Sequence, residues 1–177
     1  VARAIVMRTL AEPRVLVAHS GAGPLLPAIA AAIGGDLSCL FVDAGLPHPG
    51  RNRLESLPAD LAVRLRSLAR DGVLPPWQDW FEANAISRMV ADPETAGRFL
   101  AEVPRLPLRL LEEPMPDLDL GKISSGYLQL SEAYAAEATA ARRMRWPVDR
   151  FPGHHLSMLT QPAQVAERIL SWLDRVG

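Results

Sequence analysis

The stretch Val15-Leu16-Val17-Ala18-His19-Ser20-Gly21-Ala22-Gly23 constrains this chain more than any other. An apolar run of strand character enters a glycine-containing turn, and an alanine-rich helical segment, 24–33, follows. Such a turn sets the hydroxyl of Ser20 at its apex. A serine oxygen is a poor nucleophile unless a sharp turn exposes it beside a base and near backbone N–H donors. Gly21 and Gly23 are expected to permit the bend, because a side chain at either would collide with the strand or the helix. The stretch fits G-x-S-x-G with Ala18 replacing the first glycine. It also reads as a plain strand-to-helix turn that contains a serine, or as a phosphate-binding turn at a helix N-terminus. Neither Gly-x-Gly-x-x-Gly nor Gly-Lys-Ser/Thr is present, which weighs against a nucleotide site.

Apolar periodicity and turn residues organise the rest. Helical spacing covers 1–11, and Glu12-Pro13 breaks it. Residues 15–18 and 38–42 read as strands, the second an unbroken apolar run of the kind found in parallel strands covered on both faces. Gly34-Gly35 ends the helix between them. Further strands are expected at 127–130 and 146–151, with a helix over 132–145 between them. A final amphipathic helix is expected over 162–176, with Val165, Ile169, Leu170 and Leu173 on one face. Residues 51–118 differ: prolines are frequent, charges alternate with leucines, and strand signal is sparse. Helical pieces are expected there at about 59–70, 77–90, 93–102 and 105–112, forming a cap or insertion. The expected architecture is therefore α/β: residues 1–50 and 119–177 build a mostly parallel sheet flanked by helices, and 51–118 are a helical insertion.

Composition removes several functions. The chain of 177 residues carries a net charge of −1, so no basic excess favours nucleic acid. No apolar run is long enough to span a bilayer, and no continuous apolar stretch near the N-terminus suggests a secretory signal. The single Cys39 excludes an internal disulfide and points to a reducing, cytoplasmic compartment. No His, Cys and Asp cluster has zinc spacing, so neither a metal nor an organic cofactor is expected. The expected partner is a small-molecule substrate, with no nucleic acid and no membrane. The first residue is Val, which suggests a fragment or a processed form of a longer chain.

Ligands of open parallel sheets sit beyond the carboxyl ends of the strands. Ser20, Asp43 and the His154-His155 loop all fall at such ends, so three polar groups from distant segments converge on one edge.

With these segments in place, the chain resembles the second half of an α/β-hydrolase. Val15–Gly23 resembles that family's "LVGHSxGG" turn, and Pro152-Gly153-His154-His155-Leu156-Ser157-Met158-Leu159-Thr160-Gln161-Pro162 resembles its "GGHFxMLxxP" ending. The resemblance implies Ser20 as nucleophile, the Gly21 N–H as one oxyanion donor, and His155, seven residues before Pro162, as general base. His154 is a neighbour without an assigned role. The triad acid is implied less directly. The family position after the strand at 127–130 holds Tyr134, with Glu132 two residues earlier, whereas some members place the acid where Asp43 stands, at the end of the strand after the nucleophile helix. Asp43 is preferred and Glu132 is the alternative. Asp43 also reads as a carboxylate accepting N–H bonds within the Gly45-Leu46-Pro47 turn, and Glu132 as a helix N-terminal anion.

The implied reaction is acyl transfer through Ser20, most simply hydrolysis of a carboxylic ester. A lyase, an acyltransferase or a non-catalytic binding module on the same fold remain open. His19, Trp77, Trp80 and Phe81 are the candidate substrate contacts, and an aromatic group of this kind implies a largely apolar substrate. The aromatic spacing equally suits a helix packing onto its own core. The family's strands before the nucleophile turn, with the loop that supplies its second oxyanion donor, have no counterpart here. The expectation is that a longer parent chain or a second chain completes the sheet, or that the chain folds as a reduced version with altered or no catalysis.

Overall fold

Six strands organise the computed structural model, which describes residues 14–34, 37–81, 84–116 and 123–176: β1 (Arg14–Ser20), β2 (Leu37–Ala44), β3 (Val73–Leu74), β4 (Leu106–Pro107), β5 (Ser124–Gln129) and β6 (Val148–Arg150). Four of them form one sheet in the order β1-β2-β5-β6, and every pairing is parallel. The helix expected over 1–11 lies outside the described residues. The chain divides into two compact units, Val1–Pro49 with Pro116–Gly177, and Gly50–Met115.

In the first unit, alternation along β2 sorts its side chains between two cores, as the two-residue period of a strand requires. Cys39 and Phe41 pack with Leu26, Ala30, Ala138 and Ala141 from the helices Leu26–Ile33 and Ala135–Arg143. Leu40 and Val42 pack on the other face with Leu128, Val165 and Trp172. Covering both faces is why β2 reads as an unbroken apolar run. The last helix, Pro162–Val176, spans the expected residues, but its buried face differs from expectation. Leu170 points outward and is 59% exposed, while Trp172 is fully buried.

Trp172 lies against Gly126 of β5. A Cβ built on Gly126 would stand 2.1 Å from the indole Nε1 and 2.4 Å from Cε2. The large ring therefore packs on the sheet only because that residue has no side chain. Gly126→Ala is expected to destabilise this unit by about 3 kcal/mol, the upper range for overpacking a close-packed core. Thermal unfolding followed by circular dichroism would show a midpoint lower by about 6–12 °C, and Trp172→Phe in the same chain should restore part of it.

Two expected helices begin with a tighter turn. Gly23–Leu25 precedes Leu26–Ile33, and Glu132–Tyr134 precedes Ala135–Arg143, each as a single 3₁₀ turn.

The second unit has its own core of Leu54, Ala62, Leu65 and Leu74, lined by Trp80, Leu108 and Leu111. The helices Ala59–Leu68 and Pro93–Glu102 form close to expectation. Asp92 caps the latter by accepting from the Thr95 N–H at 2.8 Å, and Pro93 occupies the first turn, where its missing N–H costs nothing. The helix expected over 77–90 is instead a turn, Trp77–Trp80, and a separate short helix, Ala85–Met89. Asn84 between them has φ 73°, a left-handed conformation that cannot continue a right-handed helix. The helix expected over 105–112 gives way to β4, paired antiparallel with β3, and shortens to Arg109–Glu112. Two-residue strands carry no readable period, so the sequence showed no sign of this pair. The ends of the unit are clasped together: Gly50 N–H donates to Met115 O at 3.2 Å, and Met115 N–H donates to Arg51 O at 3.0 Å.

Candidate active site

Strand β1 ends on Ser20, whose φ of 57° is left-handed. A non-glycine residue there is strained, and the bend turns the chain into the helical segment that follows. The steric expectation for the two glycines holds for one of them. A Cβ on Gly23 would lie 2.2 Å from Gly45 O and 2.9 Å from Ala44 Cβ, so only glycine lets this turn approach the end of β2. A Cβ on Gly21 would meet nothing within 4 Å, so Gly21 is not required by space. The Gly21 N–H has no hydrogen-bond acceptor among the described residues.

A second strained residue lies in strand β2, one position before its end. Asp43 has φ 42°, and the β1–β2 register steps from His19↔Val42 to Ser20↔Ala44, skipping Asp43. The bulge turns the Asp43 carboxylate under the sheet end, where it is fully buried. Tyr127 of β5 fixes this distortion: its buried hydroxyl donates to Ala44 O at 2.9 Å and accepts from Ala44 N–H at 3.1 Å. Burial, helped by the Asp43 charge, pushes its phenol well above the usual range, so it stays protonated. This positioning role has no signature in the sequence, because Tyr127 there is one more apolar strand residue.

Four hydrogen bonds hold Asp43. Oδ1 accepts from the N–H groups of Leu130 at 2.8 Å and Ser131 at 2.9 Å; Oδ2 accepts from Ser131 Oγ at 2.6 Å and faces His155 Nδ1 at 2.7 Å. Burial is the largest single influence and raises its pKa. The bonds from His155, Ser131 and Leu130 together outweigh it, and the carboxyl titrates below its ordinary value. Asp43 is therefore an anion at neutral pH, and it accepts the Nδ1–H of His155. The other ring nitrogen, Nε2, is then bare and lies 3.0 Å from Ser20 Oγ. Ser20, His155 and Asp43 thus form one continuous chain of hydrogen bonds from three distant segments. Glu132 lies outside it. Its side chain is exposed and pairs with Arg150, itself exposed.

No family model matches this sequence, and no curated protein matches it. A solved structure described as an extracellular α/β-hydrolase from a Paenibacillus species, with structural and functional homology to tobacco salicylic acid binding protein 2, superposes with a TM-score of 0.76 at 19% identity. The match covers 96% of this chain and 75% of that one. This chain has the α/β-hydrolase fold.

On that fold, the His155 ring is flanked by two others. His19 lies on one side with ring centroids 4.3 Å apart and tilted by 33°, and Tyr134 stacks at 4.9 Å and 9°. His19 Nε2–H donates to the backbone carbonyl of His155 at 2.9 Å. Nε2 thereby braces the His155 loop. His154 structures the same loop: its Nδ1 accepts from Leu156 N–H at 3.2 Å, and Nε2 donates to Thr160 Oγ1 at 3.1 Å. Burial and the neighbouring His155 lower its pKa.

Burial, with the positive charge His155 can carry, lowers the His19 pKa from 6.5 to about 4, although the bond to the His155 carbonyl works the other way. Between these values the unfolded chain binds a proton that the folded one refuses. Stability is therefore full above about pH 6.5 and falls as the pH drops towards 4, by roughly 3 kcal/mol from this group. Asp43, with its lowered pKa, adds a loss in the same direction at lower pH. His19→Gln, which keeps a donor at similar reach, is expected to flatten the first part of this decline. Denaturant midpoints of both proteins from pH 7.5 to 4.5 would show the curves converging as the pH falls; parallel curves would refute it.

The remaining expected contacts lie in the second unit. Trp77 meets Phe81 edge-on at 5.2 Å and Phe99 at 6.3 Å. Trp80, partly buried, packs against that unit's core and donates its indole N–H to Pro75 O at 2.8 Å. Among the described residues, no helix is long and apolar enough to cross a membrane. The structural neighbour is described as extracellular, whereas a single cysteine suggested a cytoplasmic setting. Burial pushes the Cys39 thiol up to about 11, which makes it an inert core group in either compartment.

Proposed function

We propose that this chain is a serine hydrolase that cleaves a carboxylic ester of a small, largely apolar acid through an acyl-enzyme on Ser20. The hydrogen-bonded chain from Asp43 through His155 to Ser20 Oγ carries this reading. His155 Nε2 takes the Ser20 proton as Oγ bonds to the ester carbonyl carbon, and the carbonyl π pair moves onto its oxygen. That oxygen faces the Gly21 N–H, which serves as an oxyanion donor. The pair then returns, the bond to the alcohol oxygen breaks, and the alcohol leaves with the proton from His155. Water repeats the cycle: His155 takes its proton, the acid departs, and Ser20 regains its hydrogen. Asp43 stays ionised throughout and balances the imidazolium that forms in each half. His19, neutral and braced on the His155 carbonyl, adds no competing charge.

The second unit carries a partly exposed aromatic group of its own, in which Trp77 meets Phe81 and Phe99 edge-on. The neighbour's likeness to a salicylic acid binding protein supports an aromatic acid as the acyl part. The test is incubation with a fluorophosphonate, followed by peptide mass spectrometry and by turnover of p-nitrophenyl acetate and benzoate. Stoichiometric phosphonylation of Ser20 together with ester turnover is expected. No labelling, with reversible binding of benzoate, would replace the hydrolase by a binding module on the same fold.

A further inference from the structure

The turn Glu132–Tyr134 follows β5 and sets the Tyr134 ring flat on His155, with its hydroxyl 3.4 Å from Ser20 Oγ. The proton inventory of the site fixes the direction of that contact. Asp43 is ionised and accepts from His155 Nδ1, so Nε2 is the acceptor of the Ser20 proton. Ser20 has one hydrogen, which Nε2 of a neutral His155 accepts. The Tyr134 O–H is therefore the donor towards the remaining lone pairs of Ser20 Oγ.

We propose that Tyr134 is a catalytic residue of this site, its phenol donating a hydrogen bond to Ser20 Oγ while the serine proton passes to His155. This rests on the hydrolase reading above. At 3.4 Å the bond is long and weak in the resting site. As Oγ loses its proton its negative charge grows, and a hydrogen bond to an anionic oxygen is shorter and stronger than one to a neutral oxygen. The contact is thus worth more during the reaction than before it, the condition for accelerating the step rather than tightening binding. Tyr134 keeps its proton: the serine hydrogen goes to Nε2, the Oγ electron pair forms the bond to the carbonyl carbon, and the charge moves to the carbonyl oxygen. The ring contributes separately, since its face lies parallel to the imidazole on which positive charge develops as the serine proton arrives.

Tyr134→Phe keeps the stacked ring and removes only the hydroxyl; Tyr134→Leu removes both. Each is compared with the unsubstituted chain by the second-order rate of fluorophosphonate labelling and by kcat and KM for p-nitrophenyl acetate. Tyr134→Phe is expected to slow labelling and to lower kcat by about three- to tenfold, the effect of one neutral hydrogen bond, with KM within about twofold. Tyr134→Leu should lower both further, by about another threefold. If the unsubstituted chain labels at Ser20 and Tyr134→Phe labels as fast, or changes KM alone, the inference fails and the hydrolase reading stands. If the unsubstituted chain does not label, both fail. Tyr134→Phe decides the matter even if the leucine variant does not fold.

Discussion

Ser20→Ala is expected to abolish fluorophosphonate labelling and to lower ester turnover by about 10³–10⁶-fold, the range over which nucleophile removal acts when oxyanion donors and binding remain. The fold should not object. Ser20 already holds φ 57° with a Cβ, so alanine brings no new backbone strain. The lost hydroxyl leaves His155 bound to Asp43 through Nδ1 and to His19 through its carbonyl. The thermal midpoint should therefore stay within about 2 °C of the parent, as for other substitutions that leave the core and buried polar groups intact. A variant that unfolds early would leave the loss of turnover ambiguous; one that is stable and still labels would remove Ser20 from the chemistry. His155→Ala carries the same expectation for turnover.

Asp43→Asn should have the second largest effect, and it acts in two ways. An asparagine Oδ1 can still accept from the Leu130 and Ser131 N–H groups. Its amide nitrogen, however, would face His155 Nδ1, where a carboxylate oxygen now accepts. The imidazole then becomes an acceptor at Nδ1 and carries its hydrogen on Nε2, where it cannot take the Ser20 proton. A loss of about 10⁴-fold in kcat is expected, the size found when a triad acid becomes an amide. Stability should fall as well, by about 1.5–3 kcal/mol, because bonds to a buried anion become bonds to a neutral amide. Glu132→Gln is the control. Glu132 and Arg150 are both exposed, so neither turnover nor stability should change appreciably. Steady-state kinetics of the two variants under one set of conditions would decide, and the opposite ranking would make Glu132 the acid.

Much of the sheet was readable because burial on both faces leaves a plain mark. The run from Cys39 to Val42 admits few arrangements other than a central parallel strand, and Ser20 ends the neighbouring strand β1, which is less covered, with Val17 47% exposed. Motif likeness marks Ser20 and His155, whereas Asp43 is marked by its position and by the awkwardness of a carboxylate after four apolar residues. What escaped the sequence depends on contacts between remote segments. The brace from His19 to the His155 carbonyl joins positions far apart in the chain, so no local pattern announces it. Tyr134 read as a vacancy in a familiar pattern, and only the stacked ring and the approach to Ser20 give it a place. Leu170 and Trp172 exchanged roles because a glycine on β5 makes room for an indole, a fact that no helical spacing contains.

The clasp at Gly50, Arg51 and Met115 bears on how the chain reaches this state. The connection from β2 to β5 is long in sequence, and closing a long loop before any strand pairing forms carries an entropic penalty. With Gly50 and Arg51 bonded to Met115, the length of chain left to close between β2 and β5 is effectively shortened. The same junction gives evolution a place to lengthen, shorten or exchange the insertion while the sheet beneath keeps its strand order.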